Sequence, residues 1–138
     1  MIRYFDASAL VKRYVREAGS SVVRRLLQES AAAASRLSEV EIASALARRC
    51  REGALTVSAR DRALAALRSD FLSLYVVELS AEICNATYDL LLRHRLRASD
   101  AIQLASCIQL QKHVGAPVRF IVYEARLTDA ARGEGLTL

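Results

Sequence analysis

The chain has 138 residues, of which 53% are hydrophobic and 25% charged, and its formal net charge is +5. This length suits a single domain spanning residues 1–138, and the composition excludes a disordered or membrane-embedded chain. No apolar run approaches the roughly 18 residues that cross a bilayer, and no signal-peptide core follows the first residues, so we expect a cytoplasmic protein.

The positive charge comes almost entirely from arginine, because Lys12 and Lys112 are the only lysines among 20 basic residues. Guanidinium groups bind phosphate through paired hydrogen bonds and stack on bases, which suits a nucleic-acid partner. The alternative is that these charges only keep solvent-facing helix surfaces hydrated. Cys50, Cys84 and Cys107 lack the spacing of a zinc site or a disulfide framework, and we expect buried, reduced thiols.

Strands and helices alternate along the chain. Residues 1–6 predict a buried strand that delivers Asp6 to its end, and helical spacing follows from Ala7 to Val15. Further strands are predicted at residues 31–36, 74–79 and 119–123, with an edge strand at 136–138; helices are predicted over 22–27, 38–53, 58–72, 80–95, 101–110 and 127–132. This alternation indicates an α/β fold with a mainly parallel sheet of four to five strands, covered on both faces.

Four acidic residues lie at positions that such a sheet would bring to one edge. Asp6 and Glu124 follow strands, and Glu41 and Asp100 fall in predicted first turns of helices. Ligands of open α/β sheets bind at the carboxyl ends of the strands. Clustered carboxylates repel one another, and a hard cation such as Mg²⁺ or Mn²⁺ removes that conflict by accepting oxygen ligands.

Two of these acids also have purely structural interpretations. Asp6 is placed to cap the helix that follows it, a common role for aspartate. Ser38 and Glu41 have the spacing of a capping box, in which the serine opens a helix and the glutamate bonds back to it. From the residues alone, both interpretations stay open beside the metal site.

Four blocks occur in order along the chain: YFDASALVKRY, SRLSEVEIASALARR, LRASDAIQLASC and FIVYEARLTDAARGEGL. Together they resemble the PIN-domain nucleases, and most closely the toxin members of VapC-type toxin-antitoxin pairs, over essentially the whole chain. The resemblance implies a three-layer α/β/α fold and a metal-dependent endoribonuclease using Mg²⁺ or Mn²⁺. It implies as catalytic residues and metal ligands Asp6, Glu41, Asp100 and Glu124.

Glu124 departs from the family pattern, which usually has Asp at this place. Val122 likewise replaces a family hydroxyl residue, and Asp129 is an alternative fourth acid about one helical turn further on. Ser8 matches the family's small hydroxyl residue, which supports the metal site or the phosphate. With Arg97 and Ser99 it completes the predicted substrate-binding set.

The arginines before Asp100 offer either a contact to the RNA backbone or only a hydrated helix end; they are Arg93, Arg95 and Arg97. His94 and His113 are expected to be exposed and to take no part in catalysis, since metal-activated water needs no histidine base. The resemblance further implies an RNA substrate, a homodimer and an antitoxin partner. The antitoxin would bind a groove that includes Leu10, Tyr14, Val22, Val23, Leu26 and Leu27.

Other enzyme and binding classes fit the pattern less well. A haloacid-dehalogenase-like phosphatase needs a second Asp two residues after the first, where this chain has Ser8. A receiver domain needs a phosphoacceptor Asp after a mid-chain strand, and a dinucleotide-binding fold needs a glycine-rich fingerprint. Two rivals remain: a PIN-fold module that binds RNA or protein without cutting, and a housekeeping RNA-processing nuclease.

Overall fold

The computed structural model describes residues 1–138, and its centre is a four-stranded parallel sheet. The strands lie in the order β3-β2-β1-β4. Their bounds are Arg3–Phe5 for β1, Ala32–Ser35 for β2, Tyr75–Val77 for β3 and Arg119–Ile121 for β4. All three strand pairings are parallel, as the alternating pattern predicted.

Seven helices surround the sheet. They are α1 (Ala7–Leu10), α2 (Ser20–Glu29), α3 (Arg36–Arg51), α4 (Val57–Asp70), α5 (Ala81–Arg93), α6 (Ala98–Val114) and α7 (Ala125–Gly133). The helix predicted over residues 7–15 is shorter than expected, since α1 ends at Leu10 and continues as a 3-10 turn, Val11–Arg13. The edge strand predicted at 136–138 is reduced to one isolated bridge between Thr137 and Arg119.

Alternate strand residues face two separate cores, which produces the three layers. Tyr4 and Ala33 pack in a cluster with residues of α5, α6 and α7, such as Ile83. Phe5 and Ala34 pack on the other face with residues of α1 to α4. Because successive side chains of a strand point to opposite faces, each strand serves both cores, and the expected α/β/α arrangement is confirmed.

The alanine-rich strand β2 is interior, as predicted despite the helix preference of alanine. It pairs with β1 on one side and with β3 on the other. Ala33 and Ala34 are both fully buried, one on each face of the sheet. Tertiary packing thus decides the local structure here, because a small, apolar segment between two helices is what the sheet requires.

Two predictions about exposure were wrong in part. His94 is half-buried, with its Nε2 lying 2.7 Å from Oε2 of Glu134, whereas His113 is exposed as expected. Cys84 is exposed on α5 although it was expected to be buried, while Cys107 is buried on α6. None of the seven helices has both the length and the hydropathy that crossing a membrane requires.

Candidate active site

Two of the four predicted acids lie at the same edge of the sheet. β1 and β4 are parallel neighbours, with Phe5 opposite Ile121 in the register. Asp6 follows β1 directly, and Glu124 follows β4 after two further residues. Because parallel neighbours end at one edge, both residues are held at the carboxyl edge, where α/β proteins bind ligands.

Asp6 is buried, with only 3% of its surface exposed. It caps α1, because its Oδ1 accepts the backbone N–H of Ala9 at 3.0 Å, and this cap leaves a ligand role for Asp6 open. The hydroxyl of Ser8 donates to both carboxylate oxygens, at 2.7 and 2.9 Å. Burial still raises the pKa of Asp6 to about 7, since these neutral donors only partly replace the water that the carboxylate has lost.

Ser8 also joins the two strand ends. Its Oγ accepts the backbone N–H of Tyr123 at 3.0 Å while its hydroxyl donates to Asp6. Tyr123 directly precedes Glu124. One hydroxyl group therefore fixes the segments that carry two of the predicted acids relative to each other.

The start of α3 differs from the capping-box prediction. Ser35 caps the helix by accepting the backbone N–H of Leu37 at 3.1 Å. Ser38, which was expected to open the helix, lies fully buried inside it. The capping box was wrong, because the true helix start lies earlier and places Glu41 in the second turn. Helix capping therefore does not account for Glu41.

Glu41 is held instead by a contact from another element. Its Oε1 accepts a hydrogen bond of 3.1 Å from the side-chain amide of Gln103 in α6. Burial raises the pKa of Glu41, and the negative charge of Asp100 adds to this rise. A cation placed beside Glu41 would stabilise the charged form of this carboxylate and lower its pKa again.

Asp100 lies in the first turn of α6 and is 8% exposed. Its charged neighbour is Arg97, whose Nε lies 3.3 Å from Oδ2 while 73% of the arginine side chain stays exposed. The hydrogen bond to Asp100, with smaller contributions from Glu124 and Glu41, raises the pKa of Arg97. Arg97 therefore contacts Asp100 directly and interacts with Glu124 and Glu41 only through its charge.

Glu124 performs a structural task in addition to any ligand role. Its Oε2 accepts the backbone N–H of Leu127 at 2.7 Å and so caps α7. The last helix therefore begins at Ala125, two residues before the predicted start. One carboxylate oxygen is committed to the cap, and the side chain is half-buried.

The four acids are gathered loosely. Charge repulsion acts between Asp6 and Glu41 and between Glu41 and Asp100, and the positive charge of Arg97 also interacts with Glu124. No three Asp, Glu, His or Cys side chains lie close enough, as they stand, to hold one metal ion together. The donor chemistry fits a hard divalent cation, since every candidate ligand is a carboxylate oxygen.

The residues predicted to contact substrate differ in how free their side chains are to do so. Ser8 lies within the site and Ser99 is half-buried beside Asp100. Arg93 donates to Glu134 through two nitrogens, at 2.8 and 3.2 Å, so it is committed to an ion pair. Arg95 and Arg97 remain exposed.

Sequence reasoning missed Gln103 and its partner Tyr4. The tyrosine hydroxyl donates to Oε1 of Gln103 at 2.7 Å, deep in the core. The available signal was an amide in the middle of an otherwise small and apolar helix, because a buried polar group needs partners. Only the fold shows that those partners come from β1 and α3.

Comparison with known proteins agrees with this architecture. The PIN domain family model matches residues 3–115, a range that includes Asp6, Glu41 and Asp100 and ends before Glu124. Ribonuclease VapC45 and ribonuclease VapC49, from two strains of Mycobacterium tuberculosis, are each 36% identical over 134 residues, which is 96% of this chain and 90% of theirs. The chain belongs to the PIN-domain family and, within it, to the VapC ribonucleases.

Solved structures share the fold at lower sequence identity. M. tuberculosis VapC20, described as a sarcin-ricin loop cleaving toxin, superposes with a TM-score of 0.69 at 18% identity, over 94% of this chain and 95% of that one. A toxin-antitoxin complex from Klebsiella pneumoniae gives 0.63 at 17% identity, over 90% and 88% of the two chains. At this identity the similarity establishes the fold alone.

Proposed function

We propose that the protein is a metal-dependent endoribonuclease that hydrolyses RNA phosphodiesters and acts as the toxin of a toxin-antitoxin pair. The main observation is the group of acids at the carboxyl edge, in which buried Asp6 has no cationic partner and interacts with Glu41. Membership of the VapC ribonucleases supports the same activity.

The proposed metal ligands are Asp6, Glu41 and Asp100, with Glu124 as a fourth contact. A Mg²⁺ or Mn²⁺ ion bound there supplies an activated water and neutralises charge on the transferring phosphoryl group. The protein's own contribution is positioning: Ser8 orients Asp6 through both carboxylate oxygens. No histidine is needed, and His94 is already paired with Glu134.

RNA binding is proposed to use the exposed arginines before α6. Arg97 is 73% exposed and stands beside Asp100, so its guanidinium can move from the carboxylate to a substrate phosphate. Ser99 is the neighbouring hydroxyl donor in this proposal. A net charge of +5 favours association with a polyanion in general, and RNA implies action in the cytoplasm.

The antitoxin is proposed to bind a groove on the α1–α4 face of the sheet. This groove has a volume of about 470 Å³ and is lined by Leu10, Tyr14, Leu27 and Leu74 together with Arg13, Arg24 and Asp70. Only three of the six predicted residues line this groove, and Val23 is fully buried. The groove therefore includes fewer of the predicted residues than expected. The lining suits an apolar segment that also carries acidic side chains.

The antitoxin groove is tested by substituting one apolar lining residue. Leu27→Glu places a charge in the groove and is expected to weaken capture of the antitoxin encoded beside the gene by at least tenfold. Leu72→Glu is the control, because Leu72 is 88% exposed and lies outside the lining. Equal antitoxin affinity of both variants would refute this surface. Analytical ultracentrifugation of the free chain tests the proposed homodimer.

The nuclease activity is tested with total cellular RNA and the purified, antitoxin-free protein. We expect cleavage with Mg²⁺ or Mn²⁺ that disappears with EDTA and with Asp6→Asn. Mapping the cut ends then identifies the RNA target. A protein that binds the metal yet cuts nothing would favour the non-cutting binding module. A chain without an antitoxin gene beside its own would favour the housekeeping nuclease.

A further inference from the structure

A buried hydrogen-bond chain connects β1, which leads directly into Asp6, with α3 and α6, which carry Glu41 and Asp100. The hydroxyl of Tyr4 in β1 donates to Oε1 of Gln103 in α6 at 2.7 Å. The amide nitrogen of Gln103 then donates to Oγ of Ser38, at 2.8 Å, and to Oε1 of Glu41, at 3.1 Å, both in α3. Tyr4 and Ser38 are fully buried and Gln103 is 2% exposed, so water does not compete for these bonds.

The direction of this chain is fixed by its first donor. A tyrosine hydroxyl carries its proton at neutral pH, and the one of Tyr4 donates it to Oε1 of Gln103. The amide therefore presents its two N–H groups to Ser38 and Glu41. A flipped amide would set its oxygen against the Glu41 carboxylate, which is unfavourable in a buried place.

The three elements are linked close to the acids themselves. Tyr4 lies two residues before Asp6, and Gln103 lies one helical turn after Asp100. Glutamate has three rotatable side-chain bonds, so an unanchored Glu41 would sample many positions at the site. The amide contact holds Oε1 and leaves Oε2 as the oxygen available to a ligand.

We propose that Gln103 is a positioning residue, which sets the Glu41 carboxylate for metal binding and is itself oriented by Tyr4. This inference rests on the proposed metal-dependent function. Groups that orient a metal ligand through hydrogen bonds typically contribute 10- to 100-fold in metal affinity or activity. A purely structural role would affect the stability of the fold without affecting metal affinity.

The decisive experiment is Mn²⁺ binding to RNA-free protein, measured by electron paramagnetic resonance alongside thermal unfolding. Gln103→Met keeps the side-chain length and removes both donors, and we expect about tenfold weaker Mn²⁺ binding. Ser38→Ala is the matched control: it removes a bond from the same amide but leaves the bond to Glu41. It is expected to lower the unfolding temperature with Mn²⁺ affinity unchanged.

Cleavage kinetics give a second readout. For Gln103→Met we expect the Mn²⁺ concentration for half-maximal cleavage to rise with the dissociation constant, and most of the rate to return at saturating Mn²⁺. Tyr4→Phe keeps the ring, which packs edge-to-face on Phe120 with centroids 5.5 Å apart, and removes only the hydroxyl. Tyr4→Phe is expected to weaken Mn²⁺ binding as well, by a smaller factor than Gln103→Met. If Gln103→Met does not fold, the Mn²⁺ affinity of Tyr4→Phe tests the inference by itself.

The outcomes separate this inference from the function on which it rests. If the unmodified protein binds no Mn²⁺, the proposed function fails and the inference fails with it. If the unmodified protein binds Mn²⁺ and both Gln103→Met and Tyr4→Phe bind it equally well, the inference alone is overturned. Weaker Mn²⁺ binding by Gln103→Met and Tyr4→Phe, with the Mn²⁺ affinity of Ser38→Ala unchanged, supports the inference.

Discussion

The hydroxyl of Ser8 donates to both carboxylate oxygens of Asp6, at 2.7 and 2.9 Å. These bonds lower the pKa of a carboxyl group that burial raises to about 7. Asp6 is therefore balanced between its charged and neutral forms near physiological pH, and Ser8 shifts that balance towards the charged form that a metal ion requires.

The stability of the metal-free protein should fall as pH rises from about 4 to about 7. The folded pKa of Asp6 is about 7 against an ordinary value of 3.8, so in this interval the folded state binds more protons than the unfolded state. Urea unfolding in EDTA at pH 5 and pH 8 measures the effect, since each pKa unit corresponds to about 1.4 kcal/mol.

Asp6→Asn is the control for that pH dependence and should show a flatter profile. The pKa values of Glu17, Glu78 and Glu134 are lowered by their ion-pair partners, so their effect on stability has the opposite sign. Burial also raises the pKa of Glu41, so a smaller fall in stability with rising pH should remain in Asp6→Asn. A fall in stability that is equally steep in Asp6→Asn would show that another group is responsible.

Ser8→Ala should reduce cleavage at pH 7 by about tenfold. The substitution removes the hydroxyl that lowers the Asp6 pKa, so a smaller fraction of Asp6 is ionised, and it also leaves the Tyr123 N–H without its acceptor. Part of the lost rate should return as pH is raised to 8.5, because the carboxylate then ionises. A loss that is the same at every pH would contradict this explanation.

Arg97→Gln should tighten Mn²⁺ binding to RNA-free protein and weaken RNA binding. The guanidinium lies 3.3 Å from Asp100 and competes with a cation for that carboxylate. Because the arginine is 73% exposed, little change in the unfolding temperature is expected. Arg95→Gln serves as the control, since Arg95 is exposed in the same loop and forms no ion pair with an acid. Identical Mn²⁺ affinity of the two variants would be evidence against competition.

Glu124→Gln and Glu124→Asp separate the capping role of this residue from its proposed role as a metal ligand. Both replacements retain an oxygen that can accept the Leu127 N–H, so the unfolding temperature should change little. Glu124→Gln removes the charge and should lower cleavage at limiting Mg²⁺ by about tenfold, whereas Glu124→Asp should keep most activity. Full activity of Glu124→Gln would limit this residue to capping α7.

Ala33→Leu should destabilise the protein by about 1–3 kcal/mol without any direct contact with the acids. Ala33 is fully buried between β1 and β3, in the cluster that contains Leu104 of α6, so a larger side chain must displace that helix. Ala31→Leu is the control, because Ala31 is exposed just before the strand. Chemical denaturation that gives equal stability for both variants would show that β2 tolerates larger residues.

The order and type of the elements could be predicted because apolar periodicity is local. Even β2, whose alanines favour a helix, could be placed, since a strand-helix alternation requires a strand there. The exact ends were harder. The Ser38–Glu41 spacing matched a capping box by coincidence, because Ser35 three residues earlier is an equally good cap and is the one used.

The acids of the candidate site could be named from the sequence, but the contacts that hold them could not. The positions of Asp6 and Glu124 follow from parallel strands ending at one edge. The bonds that hold Glu41 and Asp100 come from Gln103 and Arg97, and the orientation of those side chains depends on packing among distant segments. The exposure of His94 was misjudged for the same reason, since its partner Glu134 comes from the distant residue that follows α7.

The pairing of β1 with β4 has a consequence for how the protein is made. β1, which leads into Asp6, is the first strand to be synthesised, and its neighbour β4, Arg119–Ile121, is the last. A nascent chain on the ribosome therefore lacks the edge until nearly all of its codons have been read. The bond between Ser8 and the backbone N–H of Tyr123, which joins the segments carrying Asp6 and Glu124, can therefore form only when translation is almost complete.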